Sequence, residues 1–231
     1  MLLYDLAGAD DDLRFSPYCW RTRLALAHKG LGFDTRPWRF TDQDEIVRSG
    51  QGLVPVVVDG DEVVHDSWRI ACHLEDRYPD GPSLFGGAQG RAHALFVNQW
   101  YEHAIRPVLP RLLVLAVLGL VHERDRAYFR TSREARFGGR TLEQVAIPLK
   151  DGQRLLGQAL APVRDVLRSQ AWLGGDGPSY VDHIVFGGLQ QGRIVAVELL
   201  TDDDTVLRDW RERMLDAYGG VARKARVVTG S

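Results

Sequence analysis

The chain has 231 residues, of which 45% are hydrophobic, and a formal net charge of -2. This length and composition allow a sizeable core in one large or two small domains, and the absence of excess Lys and Arg argues against a nucleic-acid partner. The longest apolar run, residues 112–121, is half of the ~20 residues that a membrane-spanning helix needs, so we expect no membrane association. Two widely separated cysteines, Cys19 and Cys72, provide neither a disulfide framework nor a four-cysteine zinc site. Because the start "LLYDLAG" also lacks a secretory signal pattern, we expect a cytoplasmic protein.

The N-terminal third alternates β-rich runs with helical periodicity. Pro37 places the second strand at a sheet edge, and "VPVVVDGDEVVH" predicts a hairpin around Asp59-Gly60-Asp61. The expected order is a strand over 2–7, a helix from Ser16 to Gly30, a strand over 33–40, a loop or short helical turn over 41–52, the hairpin over 54–65, and a helix that begins at Asp66-Ser67 and ends before Pro79.

The remainder of the chain has helical patterns only. Residues 79–90, "PDGPSLFGGAQG", are dense in Pro and Gly and are typical of a domain boundary. The predicted helices cover 91–121 with breaks at Pro107 and Pro110, 125–137, 148–169, a segment capped by Ser179 with Asp182 as capping-box partner, and 204–218. We therefore predict an α/β domain at 1–79, a linker at 80–90 and an all-helical domain at 91–231.

Ser16 and Pro17 satisfy two preferences for a helix start. Their simplest interpretation is structural, since most Ser-Pro starts are only caps. The functional alternative is that the Ser16 hydroxyl and the positive end of the helix together stabilise an anion. If that anion were a thiolate, each unit by which its pKa falls would require about 1.4 kcal/mol.

Two further pairs can be interpreted either way. Val54-Pro55 either begins a strand with an ordinary trans peptide bond or has a cis peptide bond, which would leave the backbone of Val54 free to pair with an extended peptide. Asp66-Ser67 is an N-cap, or a site at which Ser67 and nearby N–H groups hold a carboxylate while Asp66 receives an ammonium group. An α-amino acid terminus carries both of these charged groups.

In the order Ser-Pro, Val-Pro, Asp-Ser, these features describe a single site, and here the sequence resembles the glutathione transferase superfamily over almost its whole length. The resemblance implies a thioredoxin-like N-terminal domain with a mixed four-stranded sheet, an all-helical C-terminal domain, and the family's interior capping box in "WLGGDGPSYVD". "GADDDLR", "SPYCWRTRLALAHKG", "LVPVVVDG", "DSW", "LFGG" and "DRAYFRTSREARFGG" are similar to bacterial glutathione-dependent β-etherase-like members.

By the family pattern, Ser16 would be the catalytic residue that stabilises the glutathione thiolate. Val54 would pair its backbone with the cysteinyl unit beside Pro55, and Asp66 and Ser67 would hold the γ-glutamyl end. In the helical domain, Trp100, Tyr101 and Arg106 would face the electrophile pocket, although helix packing is an equal alternative for them. The family also implies a homodimer.

Cys19 occupies the second position of the redox pair of thioredoxin-like folds, while Ser16 replaces the attacking cysteine. A thiol–disulfide oxidoreductase is therefore disfavoured, and we expect Cys19 and Cys72 to be buried small hydrophobic residues. No H-E-x-x-H pair occurs, and His65, His73, His93 and His103 are not grouped with carboxylates, so no metal is predicted.

The leading hypothesis is a transferase that delivers the glutathione thiolate to a hydrophobic electrophile, with cleavage of an aryl ether as a narrower variant. The alternative is a non-catalytic binding or scaffolding protein with the same fold.

Overall fold

A computed structural model describes residues 1–228 of the chain. Its strands are β1 (Leu2–Leu6), β2 (Asp34–Trp38), β3 (Val56–Asp59) and β4 (Glu62–His65). Its α-helices are α1 (Pro17–His28), α2 (Ser67–Arg77), α3 (Ala88–Trp100), α4 (Leu109–Leu120), α5 (Glu123–Arg136), α6 (Leu142–Val145), α7 (Leu149–Ala159), α8 (Ala161–Leu167), α9 (Tyr180–Ile194) and α10 (Thr205–Gly220). A 3₁₀ helix spans Gln43–Ser49 and a π-helical turn spans Tyr101–Ile105.

The four strands form one mixed sheet in the order β2-β1-β3-β4. β1 pairs parallel with β2 and antiparallel with β3, and β3 pairs antiparallel with β4 across the predicted hairpin. β2 is an edge strand with one neighbouring strand, so the missing backbone N–H of Pro37 leaves no hydrogen bond to a second strand unmade. The sheet and its helices form the predicted thioredoxin-like domain, and a helical domain follows it, which confirms the predicted fold class.

Proline positions explain how the helical domain bends and where one prediction was wrong. The segments Ala88–Ile105 and Leu109–Leu120 meet at 74°, at the predicted Pro107 break. The single helix expected over 148–169 is instead two helices, α7 and α8, that meet at Leu160. Pro162 lies in the first turn of α8, where its missing N–H removes a bond that a continuous helix would need.

The interior capping box forms as predicted at the start of α9. The Ser179 side chain accepts from the Val181 N–H, and the Asp182 carboxylate accepts from the Ser179 N–H at 3.0 Å. Asp182 is fully buried and also accepts from the Leu173 N–H at 2.8 Å and from Trp210 Nε1 at 2.9 Å. Since these three donors hold the carboxylate in the core, the N-terminus of α9 is fixed against the preceding loop and α10.

α9 packs directly on α1 and so joins the helical domain to the helix that begins at Ser16. Gly187 permits this approach, because a Cβ built there would lie 2.5 Å from the Pro17 carbonyl oxygen. Within residues 1–228, no single helix is long and apolar enough to cross a membrane, and only the bent pair Ala88–Ile105 with Leu109–Leu120 passes a length and composition test.

Candidate functional site

A cavity of about 980 Å³ lies where the thioredoxin-like domain meets the helical domain. All five residues that the sequence analysis assigned to the glutathione site line it: Ser16, Val54, Pro55, Asp66 and Ser67. They come from three separate segments, the start of α1, the loop before β3 and the start of α2. The fold therefore brings together side chains that are about 50 residues apart in the sequence.

Ser16 is the N-cap of α1 and faces this cavity. Its Oγ accepts from the Cys19 N–H at 3.3 Å, and the residue is 4% exposed. The hydroxyl proton is not used in any hydrogen bond within the described part of the chain. A hydroxyl that accepts from the helix and has its own proton free can donate to an anion in front of the helix.

The loop before β3 presents an unpaired main chain to the cavity. The Val54-Pro55 peptide bond is cis, which resolves the alternatives that the sequence left open. Gln51 holds the loop, since its Oε1 accepts from the Leu53 N–H at 2.7 Å and its Nε2 donates to the Leu53 carbonyl. Neither the N–H nor the C=O of Val54 has a hydrogen-bond partner among residues 1–228, so both can pair with an extended peptide.

Asp66 and Ser67 form the third part of the site. Asp66 Oδ1 accepts from the Trp68 and Arg69 N–H groups at 3.1 Å each, which makes it the N-cap of α2. Asp66 has φ 71°, an unfavourable value for a residue with a Cβ, and such strain is concentrated at functional sites. Tyr180 of α9 donates its OH to the Ser67 carbonyl at 2.7 Å, and thereby ties this helix start to the helical domain.

The predicted electrophile-pocket residues divide into two groups. Tyr101 and Arg106 line the cavity, whereas Trp100 is not among the described residues that line it. Arg106 Nε pairs with Glu102 at 3.3 Å, and Glu102 accepts from the Tyr18 OH at 2.8 Å. This network crosses from α1 to the π-helical turn beside the Ser16 end of the cavity. Burial raises the pKa of Tyr101, which keeps its phenol neutral.

Arg21, which was not predicted as a site residue from the sequence, also lines the cavity and has an unusual environment. Arg21 is 1% exposed, and its guanidinium lies 4.6 Å and 4.2 Å from the ring centroids of Tyr18 and Tyr101. Nη1 donates to Asn98 Oδ1 at 2.9 Å, while Nε and Nη2 have no hydrogen-bond partner within residues 1–228. The sequence shows a basic residue about one turn after the helix cap, but it does not show in which direction the Arg21 side chain points.

The two cysteines differ in their burial. Cys19 is completely buried, and burial raises the pKa of its thiol well above the usual value, with Asp5 adding to the shift. Cys72 is only half-buried, in contrast to the expectation, and burial raises its pKa as well. Both thiols are therefore held protonated at neutral pH. In the described part of the chain, no group of three or more His, Cys, Asp or Glu side chains is arranged to hold a metal ion.

Comparison with known proteins identifies the class that this fold and site define. Family models match residues 15–77, "Glutathione S-transferase, N-terminal domain", and residues 92–217, "Glutathione S-transferase, C-terminal domain". Because the second match alone covers more than half of the chain, the protein belongs to the glutathione S-transferase family.

Individual relatives are distant. The chain is 32% identical over 114 residues to a glutathione S-transferase of Dianthus caryophyllus, and this match covers 47% of the chain and 50% of the plant protein. A solved glutathione transferase of Phanerochaete chrysosporium is 26% identical with a TM-score of 0.76, covering 95% of this chain and 91% of that one. A solved glutathione S-transferase of Ceriporiopsis subvermispora in complex with glutathione has a TM-score of 0.82 at 23% identity, and the match covers 100% of this chain and 99% of that one. At this level of identity the likeness shows the fold alone.

Proposed function

We propose that the protein is a glutathione transferase that binds glutathione at the Ser16 end of the cavity and directs its thiolate to a hydrophobic electrophile. The observation that carries the proposal is the convergence of a proton-bearing hydroxyl at a helix N-terminus, an unpaired Val54 backbone and the Asp66-Ser67 pair on one cavity. These groups match the thiol, the cysteinyl main chain and the γ-glutamyl terminus of the tripeptide in turn.

The proposed binding mode uses each group for one part of glutathione. The N–H and C=O of Val54, beside Pro55, form two main-chain bonds with the cysteinyl unit. The γ-glutamyl carboxylate accepts from Ser67 and the α2 N-terminus, and its ammonium group pairs with Asp66. These contacts fix the sulfur in front of α1, where the Ser16 hydroxyl donates to it.

In the proposed reaction, the thiol loses its proton to solvent and the resulting thiolate attacks the electrophilic carbon. A carbon–sulfur bond forms, and the leaving group departs with the electrons of the bond that breaks. The protein contributes orientation and charge stabilisation, without a covalent intermediate. In the narrower variant of a β-etherase-like enzyme, the leaving group is an aryloxide. Tyr101 and Arg106, which line the cavity, border the electrophile.

We further propose that residues 1–79 form the glutathione-binding domain and residues 91–231 the electrophile-binding domain, joined by 80–90. Following the family pattern, the enzyme would act in the cytoplasm as a homodimer, with detoxification as its cellular role.

Glutathione titration tests the binding proposal first. A ligand at 100 times its dissociation constant adds about 2.7 kcal/mol to the free energy of unfolding, so the melting temperature should rise with glutathione concentration. Absence of any rise would favour the scaffolding alternative.

Turnover of a generic aryl halide tests the catalytic role of Ser16. Ser16→Ala should lower kcat/KM at neutral pH by about 10- to 100-fold, because a hydrogen bond to a charged group contributes about 1.5–3 kcal/mol. Ser16→Thr retains the hydroxyl and serves as the matched control. Equal rates for wild type and the alanine variant would show that Ser16 is not the thiolate partner.

A further inference from the structure

The cavity continues beyond the glutathione site to a second group of side chains, which we call the arginine–phenylalanine end: Phe40, Phe129, Arg133, Arg136 and Phe137. The Arg133 guanidinium carbon lies 4.5 Å from the ring centroids of both Phe40 and Phe129. The two rings are themselves 5.5 Å apart. The Arg133 guanidinium thus lies over both aromatic rings, and only one of its nitrogens, Nη1, donates a hydrogen bond within residues 1–228.

Among residues 1–228, no carboxylate forms an ion pair with Arg133. Its only side-chain hydrogen bond in the described part of the chain is from Nη1 to Ser132 Oγ at 2.9 Å. Arg136, one turn further along α5, also forms no ion pair within residues 1–228, although it lines the same cavity. Burial and the nearby Arg136 lower the pKa of Arg133 to about 10, so the guanidinium is still charged at neutral pH.

The carboxylates that line the cavity are placed elsewhere. They are Asp66, which caps α2 at the glutathione end, and Glu102, which pairs with Arg106. Of the residues that the structure describes, the arginine–phenylalanine end is therefore lined by two cations and by no anion. A half-buried cation without a partner is costly, and that cost is relieved when a ligand supplies the counter-charge.

We propose that the electrophile pocket is selective for aromatic molecules that carry an anionic group, a carboxylate or a chemically equivalent sulfonate. The aromatic ring of the ligand packs against Phe40, Phe129 and Phe137, while the anionic group accepts from the guanidinium N–H groups of Arg133, with Arg136 at the rim. A planar guanidinium can give a carboxylate two parallel hydrogen bonds, and this is a geometry that a neutral amide cannot match. This assignment rests on the proposed function, because it takes the cavity to be the site that binds the electrophile.

A pair of fluorescent probes tests the proposal without any turnover. 8-Anilinonaphthalene-1-sulfonate carries an anionic group that its neutral analogue N-phenyl-1-naphthylamine lacks, and both would be titrated into the protein saturated with glutathione. Arg133→Gln removes the charge at the proposed site. Arg126→Gln is the matched control, since Arg126 is an exposed arginine of the same helix that does not line the cavity.

We expect Arg133→Gln to weaken binding of the sulfonate about tenfold, equivalent to about 1.4 kcal/mol, and to leave binding of the neutral probe unchanged. Arg126→Gln should affect neither probe. Unchanged sulfonate affinity in Arg133→Gln would overturn the proposal, and so would equal weakening of both probes, which would indicate a packing role for Arg133.

Turnover gives a second measurement that separates this proposal from the proposed function. The wild type should favour 4-(chloromethyl)benzoate over 4-(chloromethyl)benzamide in kcat/KM by about tenfold, and Arg133→Gln should abolish the preference. If neither compound is turned over while the two probes behave as expected, the transferase proposal fails and the anion site stands. If both compounds are turned over equally by the wild type, the anion site fails and the transferase proposal stands.

Discussion

Gly187→Ala places one methyl group at the contact between α9 and the start of α1. The new Cβ would lie 2.5 Å from the Pro17 carbonyl oxygen and 3.3 Å from Arg21 Cγ. The first of these contacts is with backbone, so no side-chain rotation can relieve it, and the two helices must separate by most of an ångström. Pro17 directly follows Ser16, so the displacement acts on the proposed thiolate site.

The size of the effect follows from two opposing contributions. Overpacking of a well-packed interface costs about 1–3 kcal/mol, and replacing Gly by Ala within a helix returns up to about 1 kcal/mol. We therefore expect a net loss of about 1–2 kcal/mol in the free energy of unfolding. The displaced helix should also lower kcat/KM in the transferase assay, because Ser16 would then be misaligned with the sulfur of bound glutathione.

Urea unfolding of wild type and two variants measures this loss. Gly119→Ala is the matched control, because a Cβ at this exposed position of α4 meets no atom within 4 Å. The control should unfold at the same urea concentration as the wild type or slightly above it. Equal midpoints for Gly187→Ala and Gly119→Ala would refute the argument that Gly187 is required for the close approach of α9.

Two other predictions concern the glutathione end and the acid response. Asp66→Asn retains a helix cap and a residue type that tolerates φ 71°, so this variant should unfold like the wild type but bind glutathione about tenfold more weakly. Asp66→Ala should bind glutathione more weakly and also lose about 1–2 kcal/mol in the free energy of unfolding. Equal glutathione affinity of wild type and Asp66→Asn in calorimetry would contradict the proposed ammonium contact. His28 and His183 each contact the Tyr218 OH at 2.8 Å, and burial lowers both pKa values below 6.5, so the unfolded chain binds protons first as the pH falls. The free energy of unfolding should be constant above about pH 6.5 and decrease below it by up to about 1.4 kcal/mol per pH unit for each histidine. His183→Gln should make this decrease less steep. A urea midpoint that is unchanged from pH 7.5 to 5.5 would contradict the prediction.

Features set by local sequence were predicted well. The cap at Ser16, the hairpin around Gly60 and the capping box of Ser179 with Asp182 each depend on residues that are close together in the chain. The alternation of strands and helices also sufficed to predict an α/β domain followed by a helical domain, whereas the mixed four-stranded sheet was expected from the family resemblance. Local hydrogen bonding and hydrophobic periodicity specify such elements, so they can be recognised without knowledge of the tertiary contacts.

Features that depend on tertiary packing were not predicted. The break at Leu160 needed the recognition that Pro162 begins a new helix, and α6, with its cap at Thr141, was missed because it is a single turn. Periodicity placed Arg133 on a charged helix, but could not show that it stacks on Phe40 from another domain. The direction of Arg21 likewise depends on the packing of α1 against α9.

The central claim is that the Ser16 hydroxyl and the N-terminus of α1 stabilise a thiolate of bound glutathione. Ultraviolet titration of the thiolate absorbance in the binary complex measures this stabilisation directly. For the wild type we expect a thiol pKa about 2 units below the free value of about 8.5, and Ser16→Ala should raise it by about 1–2 units, while Ser16→Thr stays close to the wild type. A bound thiol that titrates at its free pKa in the wild type, or at the same pKa in wild type and the alanine variant, would contradict the account.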